Sequence, residues 1–308
     1  MALVIGVDAG GTAMRAVAVD WAEGEVVLGA ADGPAGNALS VPPGVLKERL
    51  AACLAQCLHS AGVEPEEVGA VVAGLAGMRA AKGAIDTVRS AVATAGMTCP
   101  VRVHSDVEVA FAGGSDHPDG VVLIAGTGAS AARIRGFNAV ATADGAGWLL
   151  GDDGSGFWIA RRALHAVLAS LDGRGPHTEL TTVLCAELEV RPVVSEVVAA
   201  AMDGPPPGLA RLTPHVLRAA EAGDAVASGI VRQAVEHLAH TAMAAGPQEG
   251  QPLVLAGGLI SRGGPLSAQV IAALRSRGRE HVVPVESSLG PARGAAKLAA
   301  ITLAENKF

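Results

Sequence analysis

Twice along this chain a short apolar strand runs into a glycine-rich turn and out into a second strand: LVIGVDAGGT at 3–12 and VVLIAGTG at 121–128. Residues 3–7 and 15–20 form the arms of the first hairpin, and residues 121–125 with a return beginning at 131–134 form those of the second. Repetition of this plan implies a duplicated domain. Between the hairpins, a helix over 44–62 carries Val45, Leu46, Leu50, Leu54 and Leu58 at helical spacing and stops at Gly62. A strand over 68–77, a helix from about 80 to 95 and a strand VRVHSD at 101–106 follow. The second half reads as more helical, over 156–171, 178–189, 193–202, 213–222 and 224–245, before a strand at 253–258 and a helix at 264–277. Strands and helices alternating at these lengths imply sheets covered by helices, an α/β architecture.

The chain has 308 residues, a length that favours two domains. The Pro/Gly-rich segment at 203–208 is a loop too short to serve as a flexible linker. We place the boundary near residue 113 instead, giving an N-terminal domain at 1–112 and a C-terminal domain at 113–290. An Ala-rich terminal helix at 291–308 rejoins the first domain. Half the residues are apolar but only 2% are aromatic, so the core must come from Ala, Val, Leu and Ile, with close backbone approaches that the 40 glycines suit.

A net charge of -7 offers no basic field for a nucleic acid or an anionic membrane, and both are set aside as partners. No stretch reaches the roughly 20 apolar residues of a membrane span. The opening MALVIGVDAGGT reads as a buried first strand rather than a signal peptide. Cys53, Cys57, Cys99 and Cys185 are too scattered for a disulfide framework, which points to a cytoplasmic setting. Cys53 and Cys57 share a helix face, as buried thiols or as half of a metal site whose other ligands are missing.

Five constellations carry chemistry. In GVDAGGT, Gly10, Gly11 and Thr12 make a turn so poor in side chains that its amides can face phosphate oxygens, and Asp8 can hold Mg2+ through water. The same glycines also suit a turn that is merely conformational. The pattern lacks the Gly-Lys-Ser/Thr of a P-loop, and it leads into a strand rather than the helix of a dinucleotide fingerprint. Gly126, Thr127 and Gly128 form the second turn, with Ser130 beyond it, and Gly257 and Gly258 follow a third strand where a ribose or flat ring could approach the backbone. Asp106 ends the strand VRVHSD, placed either as a general base at the cleft or as a helix N-cap. In GWLLGDDGSGFWI at 147–159, Asp152 and Asp153 lie in a turn ahead of a helix that Ser155 can cap, while Trp148 and Trp158 read equally well as core.

Together these motifs resemble the BadF/BadG/BcrA/BcrD ATPase family, and within it the N-acetylglucosamine kinases of the actin/Hsp70/hexokinase superfamily. The resemblance runs over nearly the whole chain. It implies a two-domain actin-like ATPase of duplicated, ribonuclease H-like domains with the active site in the interdomain cleft. On this likeness GVDAGGT and GTG at 126–128 are the two phosphate motifs, GG at 257–258 is the adenosine motif, and VAGLAG at 72–77 is the connecting segment. Asp106 falls at the catalytic base, and Asn37, Asp106, Ser130 and Asp152 are the sugar-binding set. The implied ligands are ATP, Mg2+ and an amino sugar such as N-acetylglucosamine or glucosamine, phosphorylated at its 6-hydroxyl. A homodimer is left open. The chain departs from the family where Ala9 replaces Gly, Ala13 replaces Lys and Ala146 replaces Trp.

Two other roles share this fold. A non-catalytic sugar or nucleotide sensor is suggested by Ala13 and Ala146, but retention of Asp8 and Asp106 argues against it. An ATP-driven dehydratase activator needs cysteine ligands for an iron-sulfur cluster, and these cysteines are not so arranged. Sugar-responsive repressors carry a helix-turn-helix ahead of the first strand, where this sequence begins directly in the strand.

Overall fold

The computed structural model describes residues 3–22, 24–78, 81–285 and 290–305. Residue 80 and residues 306–308, which fall in expected helices, lie outside the described residues.

The first half builds a five-stranded sheet from β1 (Leu3–Ala9), β2 (Ala13–Asp20), β3 (Val26–Pro34), β4 (Ala70–Leu75) and β5 (Val101–Ser105), in the order β3-β2-β1-β4-β5. The second half builds another from β6 (Gly120–Ala125), β7 (Ala129–Arg135), β8 (Asn138–Asp144), β9 (Leu253–Ala256) and β10 (Val282–Pro284), in the order β10-β9-β6-β7-β8. In each, the hairpin strand pairs antiparallel with its successor and parallel with the first strand to arrive after a helical crossover. Even the irregularity is repeated: the register shifts at Ala18/Val19 in one sheet and at Arg133/Ile134 in the other. The duplication expected from the paired hairpins is thus present strand for strand.

Three strands escape sequence pattern. β3 and β8 are outer strands whose small and polar residues alternate without a strong apolar signal, and β10 has only three residues ending in Pro284. The segment expected as a loop at 203–208 runs into a 3-10 helix, Pro206–Leu212.

Helices cover both sheets. α1 (Pro43–Ala61) and α2 (Ala84–Thr94) bury Leu46, Leu50, Leu54 and Val88 against one face of the first sheet, and α1 ends as expected at Gly62, left-handed with φ 64°. The second sheet is backed by α4 (Gly156–Leu171), α5 (Leu180–Glu187), α6 (Val194–Met202), α7 (Thr213–Glu221), α8 (Ala225–Ala244) and α9 (Ser267–Arg275).

Two helices lie between the sheets: α3 (Asp106–Gly114) and α10 (Gly290–Ala304). α3 turns Val109 and Ala112 toward the first sheet, in a cluster with α10, and Val107, Ala110 and Phe111 toward the second. Residue 113 therefore lies in the last turn of a helix that packs on both halves. The approach is backbone to backbone. A Cβ on Gly294 would sit 2.0 Å from the Val109 carbonyl oxygen, and one on Gly6 would sit 2.1 Å from that of Ala292. Such contacts are how an aromatic-poor chain fills its centre.

Candidate active site

Each hairpin turn emerges at the end of its sheet. Gly10 N donates to Ala13 O at 3.0 Å, and Gly126 N to Gly128 O at 2.9 Å. The two turns meet: Thr12 Oγ1 and Thr127 Oγ1 are 2.8 Å apart across the gap between the sheets. The third turn joins them, since a Cβ on Gly126 would come within 3.9 Å of Gly258 N and one on Gly257 within 2.4 Å of Ala125 O. Behind the second turn, Gly156 N and Phe157 N at the start of α4 donate to Gly126 O at 2.8 Å and Thr127 O at 3.2 Å.

The glycines divide by cause. Gly257 needs to be glycine for conformation, with φ 90°. Gly10, Gly11, Gly126, Gly128 and Gly258 do not have left-handed backbones. At Gly11 and Gly258 nothing stands within 4 Å of where a Cβ would be. Neither a left-handed backbone nor a neighbouring atom demands glycine there.

Asp8 is the penultimate residue of β1 and is half-buried. Burial, and then the charge of Asp106, push its carboxyl up to about 7 despite the nearby Arg15 guanidinium, itself ion-paired with Asp32. Asp106 is the first residue of α3, and its Oδ1 accepts from Val107 N at 3.0 Å. The N-cap is Ser105, not Asp106, and Glu108 closes the cap by accepting from Ser105 N at 2.8 Å. With capping assigned to its neighbours, the Asp106 carboxylate stands beside Asp8 at the helix N-terminus, where negative charge is favoured.

Asn37 rides on the loop after β3. That loop is tied to the first turn by Gly36 N donating to Gly10 O at 2.9 Å, and to the end of β4 by Ala38 N donating to Ala76 O at 2.9 Å. Asn37 Oδ1 accepts from Leu39 N at 2.8 Å. Asp152, left-handed at φ 58°, lies against the second turn: its Oδ1 accepts from Ala129 N at 3.3 Å, and a Cβ on Gly128 would fall 3.0 Å from its Oδ2. Burial raises its pKa, as do Asp144 and Asp153 nearby. Ser155 caps α4 by accepting from Trp158 N at 3.1 Å. Trp158 packs edge-on to His237, whereas Trp148 is 39% exposed and is no core residue.

Sequence reasoning missed Asp144. At the end of β8, paired in register with Ser130, it accepts from Asp152 N at 2.8 Å and Asp153 N at 2.9 Å and so sets the turn that carries Asp152. The strand itself was not foreseen, so nothing marked its last residue. Thus the structure joins Asp8 with Asp106, Thr12 with Thr127, Gly126 with Gly258 and Gly128 with Asp152, and ties the Asn37 loop to the first turn. Asn37 belongs to one sheet, and Ser130 and Asp152 to the other.

Residues 5–299 match the BadF/BadG/BcrA/BcrD ATPase family. The chain belongs to this family. Among relatives, an N-acetylmuramic acid/N-acetylglucosamine kinase of Clostridium acetobutylicum is 31% identical over 182 residues, 58% of each chain. An N-acetyl-D-glucosamine kinase of Dictyostelium discoideum is 28% identical over 282 residues, 86% of this chain and 88% of that one. A Chromobacterium violaceum structure assigned as an N-acetylglucosamine kinase superposes with a TM-score of 0.79 at 24% identity, covering 98% of this chain and 99% of that one, and shows the shared fold. Within the family pattern, Ala9 is fitted by a matching omission: a Cβ on Gly36 would meet the Ala9 Cβ at 2.8 Å. Ala13 and Ala146 are both exposed.

Among the described residues no group of three or more His, Cys, Asp or Glu side chains is placed to hold a metal, and no helix is long and apolar enough to cross a membrane. A Mg2+ ion is usually held by one or two carboxylates together with substrate phosphates rather than by an all-protein cage. The Asp8–Asp106 pair fits that requirement, because a cation would offset the burial and the Asp106 charge that together raise Asp8.

Proposed function

We propose that this protein is an ATP-dependent kinase of amino sugars, transferring the γ-phosphoryl group to the 6-hydroxyl of N-acetylglucosamine or glucosamine in a cytoplasmic setting. The observation that carries the reading is the meeting of the two glycine turns at Thr12 and Thr127, the first of which follows the strand that carries the Asp8 carboxylate facing Asp106. The kinase names of relatives that align over most of this chain support it.

In this reading, residues 1–112 with the terminal helix 291–308 form one lobe and 113–290 the other. Gly10, Gly11, Thr12, Gly126, Thr127 and Gly128 hold the phosphates, and Gly257 and Gly258 the adenosine. Asn37, Ser130 and Asp152 hold sugar hydroxyls. Asp8 and the nucleotide phosphates would hold Mg2+, which neutralises charge on the transferring group. Asp106 orients the attacking hydroxyl and takes its proton as the oxygen–phosphorus bond forms and the bond to ADP breaks. Approach of the lobes excludes water that would otherwise accept the phosphoryl group.

The test is ADP release with ATP-Mg2+ against N-acetylglucosamine, glucosamine, N-acetylmannosamine, N-acetylmuramic acid and glucose, with the product identified by mass and its phosphorylated position by NMR. Turnover with an amino sugar is expected. ADP release independent of any sugar would overturn the reading in favour of an activator-type ATPase.

A further inference from the structure

Glu108 is a buried carboxylate reached by donors from both halves of the molecule. Its Oε2 accepts from Ser105 N at 2.8 Å and lies 3.2 Å from His104 Nδ1, and its Oε1 accepts from Ala139 N at 2.9 Å. His104 and Ser105 immediately precede Asp106, whereas Ala139 is on β8, the outer strand of the other sheet. A capping box explains the Ser105 bond. It does not explain an oxygen that crosses to another sheet.

The amide it reaches is placed for this purpose. Outer strands leave alternate N–H groups without a ladder partner, and Ala139 stands beside the irregularity at Val140, where the β7–β8 pairing passes from Ile134↔Ala139 to Arg133↔Ala141. Further along the same strand, Asp144 holds the amides of Asp152 and Asp153, and with them the turn lying against Gly128. β8 is therefore a bar clasped by Glu108 at one end and fixed to the second glycine turn at the other.

We infer that Glu108 is a positioning residue that pins the first turn of α3, and with it Asp106, to β8, setting the base at a fixed place relative to the phosphate-binding turn of the second sheet. The catalytic consequence rests on the kinase reading, and the clasp itself rests on the hydrogen bonds alone. Burial works against the Glu108 charge, but the His104 ring and the two amides outweigh it and hold the carboxyl down at about 2. The clasp therefore stays charged throughout the neutral range.

Two substitutions separate the clasp from the cap. Ala139→Pro removes the donor on β8 and leaves Glu108 and Ser105 untouched, and proline is tolerated on outer strands. Glu108→Gln keeps the shape but presents an NH2 to one of the two amides. Both variants should lower kcat by roughly ten- to a hundredfold, the scale of a misplaced reacting group, with KM for sugar and ATP unchanged. Hydrogen exchange at the Ala139 amide should be slow in the native protein and fast in Glu108→Ala, which removes both acceptor oxygens. Unchanged kcat in folded Ala139→Pro, or a loss confined to KM, overturns the positioning role. If Ala139→Pro does not fold, the kcat of Glu108→Gln decides by the same criteria. Fast exchange at Ala139 in the native protein overturns the clasp. Should the native protein phosphorylate none of the sugars, the kinase reading fails, and the exchange rates still decide whether the clasp exists.

Discussion

Asp8 bears the cost of standing buried beside Asp106, and that cost is measurable. Its carboxyl is raised to about 7 by burial and then by Asp106, above the ordinary carboxylate range near 4. Between those values the folded chain holds a proton that the unfolded chain has released, so stability falls as pH rises through this window and is level above it. Asp8→Asn cannot be charged and escapes the fall. Its stability should gain on the native protein between about pH 4 and pH 7, at most by about 1.4 kcal/mol per pH unit, as read by denaturant unfolding at several pH values, while sugar phosphorylation is lost. Equal pH dependence in both proteins would show that Asp8 is not raised. At Asp106 the expectation differs: Asp106→Asn should abolish transfer with sugar binding retained, measured by calorimetry beside turnover. Asp8, Asp106 and the glycine turns are legible in sequence because each is marked locally, by a strand end or by glycine density. Glu108 and Asp144 are not, since their meaning lies in backbone amides that only the fold brings within reach. Reading Asp106 as an N-cap failed for a related reason: the helix begins at Asp106 itself, its N-cap is Ser105, and Glu108 engages the Ser105 amide.

Elements were legible in proportion to how much of their burial follows a simple period. The long helices α1, α4 and α8 repeat apolar residues at helical spacing, and the buried strands β1, β4 and β6 are continuous apolar runs. β8 and β10 show neither pattern, since one is an outer strand of alternating exposure and the other is three residues long. Nor does sequence show why α3 and α10 can pack so closely. The reason is the glycine at each crossing, with Gly113 held against the Gly290 carbonyl and Gly294 against that of Val109, where an added Cβ would lie 2.0 Å from oxygen in both cases. Backbone cannot give way as a flexible side chain can. Gly294→Val should therefore destabilise the protein by about 3 kcal/mol or more, seen as a lower denaturant midpoint. The exposed change Gly44→Ala in α1, where nothing lies within 4 Å, should leave that midpoint nearly where it was.

At the scale of the whole molecule, the two halves are joined unequally at front and back. Behind the site, α3 places apolar residues in the clusters of both sheets, among them Phe111 and Val109, each 0% exposed. In front, Thr12 and Thr127 meet through one solvent-exposed hydroxyl pair, a bond that contributes on the order of 1 kcal/mol net. If the two halves of the proposed kinase close on their ligands, a joint buried at the back and lightly latched at the front would let them turn about α3 and α10. On that reading so weak a latch would not hold the halves together by itself, because 1.4 kcal/mol corresponds to only a tenfold ratio. On the proposed kinase reading, a non-hydrolysable ATP analogue with Mg2+ and an amino sugar would bridge the turns through its phosphates and should draw the lobes together. Small-angle X-ray scattering should then show a smaller radius of gyration with both ligands than with neither. Thr127→Val, which removes the latch and spares the turn backbone, should enlarge the unliganded particle. A radius indifferent to ligands in both proteins would mean that the lobes are locked by α3 and α10, and that water is excluded by the fixed cleft rather than by closure.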